Sequence, residues 1–268
     1  HIDNLVRRMN VDRVIVALED RRGLLPLEQL LECKLRGVAV EDGFDFFERF
    51  SGKLHLEYLR PSSIIFSAGY SRPAWMKHAC RLVSVFLSIG GSIILAPVAL
   101  ITALLIKLDS PGPVIYRQER VGEGGRLFTL LKFRSMRVNA EEYGPAWASQ
   151  NDPRVTKVGK WIRKLRFDEI PQLWNVLCND MALVGPRPER QHFVDQLQKE
   201  IPYYGQRFSV KPGITGWAQI NYPYGASKED TLEKLKYDLF YIKHFSVGFD
   251  LYIIMQTIKI VLFRKGSR

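Results

Sequence analysis

The sequence predicts an α/β fragment followed by a mainly α, monotopic membrane domain with a re-entrant membrane helix and a small β-hairpin. Three observations carry that expectation. Residues 13–18 read as a buried strand and 37–40 as the next strand, around a helical stretch at 26–36. Residues 82–106 contain no charged side chain, a run longer than the roughly 20 apolar residues that cross a bilayer as a helix. Two further apolar runs, 114–119 and 127–132, flank the glycine-rich VGEGG of residues 121–125 as the strands of a hairpin flank its turn.

The first of these elements looks like the back half of a doubly wound domain. No GxGxxG or GxxxxGK[ST] accompanies its strands, so it reads as scaffold or regulatory structure. The charged start, His1-Ile2-Asp3, has no signal-peptide core and no initiator Met, and further chain is expected to precede it.

In the apolar run, Pro97 removes a backbone hydrogen bond and clashes with the preceding turn, which predicts a kink or break, and Gly90-Gly91 weakens the first half. Both flanks are basic, with Arg72, Lys77, His78 and Arg81 before and Lys107, Arg117 and Arg120 after. Basic flanks favour the cytoplasm. A helix that enters, bends at Pro97 and returns keeps both of them there, whereas a straight span leaves one outside.

Asp109-Ser110-Pro111-Gly112-Pro113 is a turn cluster that opens a polar domain. The glycines of its hairpin could cradle a phosphate, but without a Walker lysine the turn reading is the stronger. The most basic stretch of the chain follows: KFRSMR at 132–137, then Lys157, Lys160, Arg163, Lys164 and Arg166, leading into FDEIPQLWNV at 167–176. Asp168 suits a helix N-cap and Pro171 a first turn, which puts both acids at a helix N-terminus, where phosphate also binds. Ordinary capping would explain the same pair. Toward the C-terminus, residues 238–242 and 249–263 form apolar stretches. The latter suits either a helix lying in the membrane interface with Arg264 and Lys265 near headgroups, or core packing.

Composition limits the classes. With 268 residues, 46% hydrophobic and 25% charged, the chain is ordered rather than disordered. Its net charge of +11 favours an anionic partner, whether nucleic acid, an acidic membrane surface or a phosphate-rich substrate, and charge alone does not choose. Cys33, Cys80 and Cys178 lack CxxC spacing and read as reduced thiols on a cytoplasmic side. The histidines, among them His55, His78, His192 and His244, are scattered without metal-ligand spacing.

LVGPRPE at 183–189 and KPGITGWAQI at 211–220 complete a set of long motifs. With the membrane segment, KFRSM and FDEIPQLWNV, they occur in the order found in the bacterial sugar transferase family, the monotopic polyprenyl-phosphate phosphoglycosyl transferases. The chain resembles that family from about Arg72 to its end. The resemblance implies domains at 1–71 (a partial Rossmann-like α/β domain of the family's larger members), 72–108 (linker and re-entrant helix) and 109–268 (catalytic), with a transmembrane bundle upstream.

It also implies an Asp-Glu dyad working with Mg2+. In that scheme Asp168 is the nucleophile, Glu169 helps place the metal, and Lys132, Arg134, Arg163 and Arg187 hold the donor's phosphates or shape the dyad. The implied reaction moves a sugar phosphate from a UDP-sugar to polyprenyl (undecaprenyl) phosphate at the cytoplasmic face of the bacterial inner membrane, releasing UMP. A shielded diphosphate needs cations around its oxygens, and a carboxylate nucleophile gives an acyl phosphate. The sequence departs from the family in having Ala96 where a serine precedes the helix-breaking proline. The N-terminal fragment is a candidate contact for a homodimer. A nucleic-acid module is disfavoured because the basic residues accompany acids and no recognition motif. A non-catalytic scaffold is disfavoured by the intact dyad.

Overall fold

The computed structural model describes residues 2–18, 25–56, 73–140, 144, 152–223, 225 and 227–263. The chain divides into two compact units, 1–59 and 60–268. The expected boundary at 71/72, Arg72, Arg264 and Lys265 lie outside the described residues.

In the first unit, α1 (Ile2–Met9) precedes β1 (Arg13–Val16), α2 (Leu27–Leu35), β2 (Ala39–Asp42) and α3 (Gly43–Ser51). β1 and β2 pair in parallel, Arg13 opposite Ala39 and Val16 opposite Asp42, the β-α-β arrangement that the two apolar runs predict. One expectation is corrected. β1 is not fully buried, for its residues alternate exposed and half-buried, as in a two-stranded sheet packed on one face. Asp42 caps α3 by accepting from Phe44 N at 2.8 Å, and Gly52 ends it in the left-handed conformation. Leu27, Leu31 and Leu35 leave an apolar face of α2 exposed.

The second unit opens with α4 (Ala74–Asp109), which is helical on both sides of Pro97 without interruption. Its burial is inverted relative to a soluble helix. Cys80, Ser84, Ser88 and Thr102 face inward and are buried, whereas Leu82, Phe86, Ile93, Leu100, Leu104 and Leu108 face outward and are exposed. Small side chains inside let a helix lie close to its neighbour, and a large outward apolar face needs lipid or a partner. Helix α4 is the described helix long and apolar enough to cross a membrane.

β3 (Ile115–Val121) and β4 (Leu127–Phe133) then pair antiparallel, Ile115 opposite Phe133 and Val121 opposite Leu127. Their turn places Gly124 at φ 65° and Gly125 at φ 77°, a region glycine enters without steric cost. After α5 (Lys157–Lys164) come a single 3-10 turn at Phe167–Glu169 and α6 (Gln172–Leu177). β5 (Ala182–Val184), α7 (Gln191–Glu200), β6 (Gly213–Thr215), α8 (Trp217–Asn221), α9 (Lys228–His244) and α10 (Val247–Phe263) complete the unit, with β5 and β6 paired in parallel.

Two apolar clusters hold these pieces together. Ile106 of α4, Phe133 of β4 and Ile162 of α5 are buried against one another, with Phe167 and Ile170 packed on them. Leu130, Val176 and Met181 form the second cluster, between hairpin and α6. At the C-terminus, α10 buries one face and leaves another exposed. Ile253 is fully buried and Asp250 accepts from Tyr241 Oη at 2.8 Å, while Tyr252, Met255 and Ile258 remain exposed.

Candidate active site

The dyad is placed by its connections to the hairpin. The buried side chain of Asn175 in α6 accepts from Leu131 N at 3.0 Å and donates to Thr129 O at 2.8 Å, which docks α6 on the edge of β4. Lys132, next along β4, thereby comes beside the 3-10 turn that carries both acids. That turn corrects the capping expectation. Asp168 caps no helix, because Arg166, in the left-handed conformation at φ 57°, precedes the turn and α6 begins later, at Gln172.

Arg187 reaches the dyad from the loop after β5. Backbone bonds from Gly185 N to Thr215 O (2.9 Å) and from Gly213 N to Pro186 O (3.0 Å) press this loop against the strand of the KPGITG motif. A Cβ on Gly185 would collide with Lys211 O, and one on Gly216 with Gly185 O, so the two motifs require glycine to lie backbone to backbone. From the hairpin side, Arg120 donates to Pro188 O at 3.1 Å and pairs with Glu189 at 2.9 Å.

The result is a carboxylate pair in cationic surroundings. Glu169 is 9% exposed and its Oε1 accepts from Arg187 Nη2 at 2.7 Å, with Lys132 Nζ at 3.6 Å. Arg166 lies 3.9 Å from Oε2. Asp168 has no hydrogen bond or ion pair among the described residues. Burial would raise the Glu169 carboxyl, but Arg187 and Lys132 overcome it and hold the group below the usual carboxylate range. Asp168 moves the other way. Burial and the adjacent Glu169 charge push it above that range, against the pull of Lys132, Arg187 and Arg163. Burial and the Arg187 charge likewise push the Lys132 ammonium below its ordinary value.

Three of the four expected basic residues therefore act on the dyad: Lys132 and Arg187 by contact, Arg163 through its charge. Arg134 does not. It is 5% exposed and its guanidinium donates to Ser110 O and Pro111 O at 2.7 Å and to Ser110 Oγ at 3.1 Å, closing the C-terminal end of α4. A cation two residues from Lys132 on an extended chain shares its face, yet β4 ends at Phe133 and the chain turns there, which redirects the side chain.

Sequence reasoning missed the supports of Arg187. Gln219 accepts from Arg187 Nη1 at 3.1 Å and donates to Ile214 O at 3.3 Å. Arg207 donates to the Arg187 carbonyl at 2.9 Å and to Asp238 at 3.0 Å. Gln219 belongs to KPGITGWAQI, so the signal was present in the motif but carried no role by itself.

The donor set suits Mg2+, which is held by one or two carboxylates together with substrate phosphates rather than by a full protein cage. Asp168 is unengaged and Glu169 keeps Oε2 outside its tightest ion pair. Among the described residues no group of three or more His, Cys, Asp or Glu forms such a cage. Lys132 of β4, Arg163 of α5 and Arg187 of the loop after β5 thus set their charges around the two carboxylates of the 3-10 turn.

The chain is 43% identical over 242 residues to the UDP-N-acetylgalactosamine-undecaprenyl-phosphate N-acetylgalactosaminephosphotransferase of Aeromonas hydrophila, covering 89% of this chain and 56% of that protein. It is 47% identical over 170 residues to the UDP-glucose:undecaprenyl-phosphate glucose-1-phosphate transferase of Escherichia coli strain K12, covering 62% of this chain and 36% of that one. A protein of the same description from Caulobacter vibrioides is 41% identical over 169 residues, 62% of this chain and 63% of its own length. The chain thus spans less than two thirds of the length of these relatives. The family model described as bacterial sugar transferase matches residues 75–264, and the chain belongs to that family.

Proposed function

We propose that the protein transfers a sugar phosphate from a UDP-sugar to polyprenyl phosphate, yielding polyprenyl diphosphosugar and UMP. The observation that carries this reading is the contrast within the dyad. Glu169 is clasped by Arg187 and Lys132, while Asp168, one residue earlier, has no hydrogen-bond or ion-pair partner among the described residues and feels the charges of Lys132, Arg187 and Arg163. An unpaired carboxylate among cations is available both to attack a phosphorus atom and to have its products neutralised.

In the first step an Asp168 oxygen attacks the phosphorus that bears the sugar, and the bond between that phosphorus and the bridging oxygen breaks. UMP leaves with the bridging oxygen, and an aspartyl phosphosugar remains. In the second, an oxygen of the polyprenyl phosphate attacks the same phosphorus and the Asp168 carboxylate departs. No proton needs to move in either step. Lys132, Arg163 and Arg187 neutralise the phosphate oxygens, and Arg187, held by Gln219, keeps Glu169 oriented. Asp168 and Glu169 would hold Mg2+, which would supply Lewis-acid stabilisation of the charge on the transferred and leaving groups.

The membrane disposition belongs to the same proposal: α4 is re-entrant and the catalytic domain sits on the cytoplasmic face of the bacterial inner membrane. Contacts support it, because α4 meets one globular unit along most of its length. Arg81 donates to Val176 O and Leu177 O at 2.5 and 3.2 Å, Gly91 lies by Leu173, and Ile106 joins Phe133 and Ile162. A spanning helix would carry its far half away from a polar domain that cannot enter lipid. The exposed α2 face supports a homodimer through the N-terminal unit.

The test is to incubate enzyme, Mg2+ and labelled UDP-sugar without lipid, quench in acid and analyse peptides. A sugar phosphate on the peptide containing Asp168, with UMP released, is expected. UMP release that strictly requires acceptor, with no adduct, would reassign Asp168 to a base or metal role.

A further inference from the structure

Beside the dyad lies a groove that the chemistry above does not use. It is a cavity of about 350 Å³ between α4 and the segment from α5 to Phe167. Val98, Ile101 and Leu105 form one wall, Trp161, Leu165 and Phe167 the other, and the lining is almost wholly apolar.

Three features specify its occupant. Ile101, Leu105 and Trp161 are exposed on its rim, and the rim is continuous with the outward apolar face of α4 at Leu100, Leu104 and Leu108. A hydrocarbon chain can therefore enter from the lipid phase without crossing water. The groove also runs to Phe167, the residue bonded to Asp168. Finally, its polar border is cationic: Lys157, Lys160 and Lys164 are exposed along α5, Lys164 Nζ lies 5.9 Å from the centre of the Trp161 ring, and the Arg163 charge acts on Asp168. An apolar trough that ends in cations at a nucleophile complements a single hydrocarbon chain carrying a terminal phosphate.

The geometry points to this groove as the site that takes the isoprenoid segment nearest the phosphate of the polyprenyl phosphate acceptor. The inference rests on the reaction proposed above and adds to it a binding site for the lipid chain. The acceptor's phosphate is delivered past Phe167 to the aspartyl phosphosugar, where one of its oxygens forms the new bond to phosphorus as the Asp168 oxygen leaves. Selection then depends on the shape of the chain as well as on the phosphate.

The test uses the intact chain in nanodiscs of a zwitterionic phospholipid, with Ile101→Trp to fill the groove and Trp161→Ala to remove a wall. Trp161 is 66% exposed, so its loss leaves the core untouched. Two quantities are read: UMP released in the first turnover without acceptor, and kcat/KM for undecaprenyl phosphate against a straight-chain alkyl phosphate of similar length. Each variant is expected to lower kcat/KM for undecaprenyl phosphate about tenfold and to narrow its preference over the straight chain, with first-turnover UMP retained. Acceptor kcat/KM within about twofold of the unmodified protein in both variants, or equal loss in both half-reactions, would overturn the groove assignment. If the unmodified protein releases no UMP from any UDP-sugar, the reaction is misread, and the groove is judged by photocrosslinking alone. A diazirine-bearing polyprenyl phosphate should then label Leu105 or Trp161, and labelling elsewhere, or equal labelling by a diazirine-bearing diacyl phospholipid, rejects it.

Discussion

Arg187 donates to Glu169 at 2.7 Å and to Gln219 at 3.1 Å, so one guanidinium ties the acid of the FDEI motif to the glutamine of the KPGITGWAQI motif. Glu169 and Gln219 lie fifty positions apart in the chain, and the bridge fixes the Arg187 side chain between them. It also makes the two acids unequal, since Glu169 is ion-paired and Asp168 has no such pair among the described residues.

Asp168→Asn should abolish turnover and the covalent adduct, because an amide is a poor nucleophile. Glu169→Gln should leave a residual rate with a weakened Mg2+ dependence. Single-turnover assays across a Mg2+ titration separate the two, and equal loss in both variants would contradict the division of roles.

Arg187→Lys keeps the charge but cannot bridge two partners. A fall in kcat of about 10²-fold is expected, approaching about 10³-fold for Arg187→Ala. Gln219→Ala, which frees the guanidinium without removing it, should cost about tenfold. A Gln219 variant as impaired as Arg187→Ala would mean that Gln219 contacts substrate itself.

The pH profile follows from the direction of the Asp168 shift. In the proposed mechanism only the ionised Asp168 carboxylate attacks, and burial with the Glu169 charge raises its pKa, so activity should fall as pH drops through a value above the ordinary aspartate figure of about 3.9. Glu169→Gln removes the neighbouring negative charge and should move this acid limb to lower pH. The kcat/KM profile for first-turnover UMP release reads both, and an unmoved limb would show that the Glu169 charge is not a cause.

Arg134→Met strips the donors from the Ser110 and Pro111 carbonyls just past the end of α4 and leaves a buried cavity where the guanidinium stood. The expected loss is about 3 kcal/mol of stability, with kcat per folded molecule changed less than about tenfold. Thermal unfolding against active-fraction kinetics checks this. Unchanged stability with lost activity would return Arg134 to phosphate binding.

With Cys178 removed, cysteines introduced at Lys77 and at Lys107 should label from the same face of oriented vesicles. Labelling from opposite faces would make α4 a span.

The sequence by itself determined the kinds of element and the residues able to do chemistry. Residues 82–106 read as an apolar helix, the glycines of residues 121–125 read best as a hairpin turn, and FDEI, GPRPE and KPGITGWAQI supplied acids and cations whose chemistry is a property of each side chain. Tertiary structure decided which of those groups meet. Lys132 and Arg134 are near neighbours in one motif, yet the end of β4 sends one to Glu169 and the other to the end of α4. Asp168 looks like a cap until the left-handed backbone of Arg166 puts it in a separate 3-10 turn. Gln219 acquires a role only because β5 and β6 pair and bring Arg187 within reach. Local pattern is set by periodicity and propensity over a few residues, whereas partner choice and the resulting pKa shifts depend on distances between segments far apart in the chain, which only the packed structure defines.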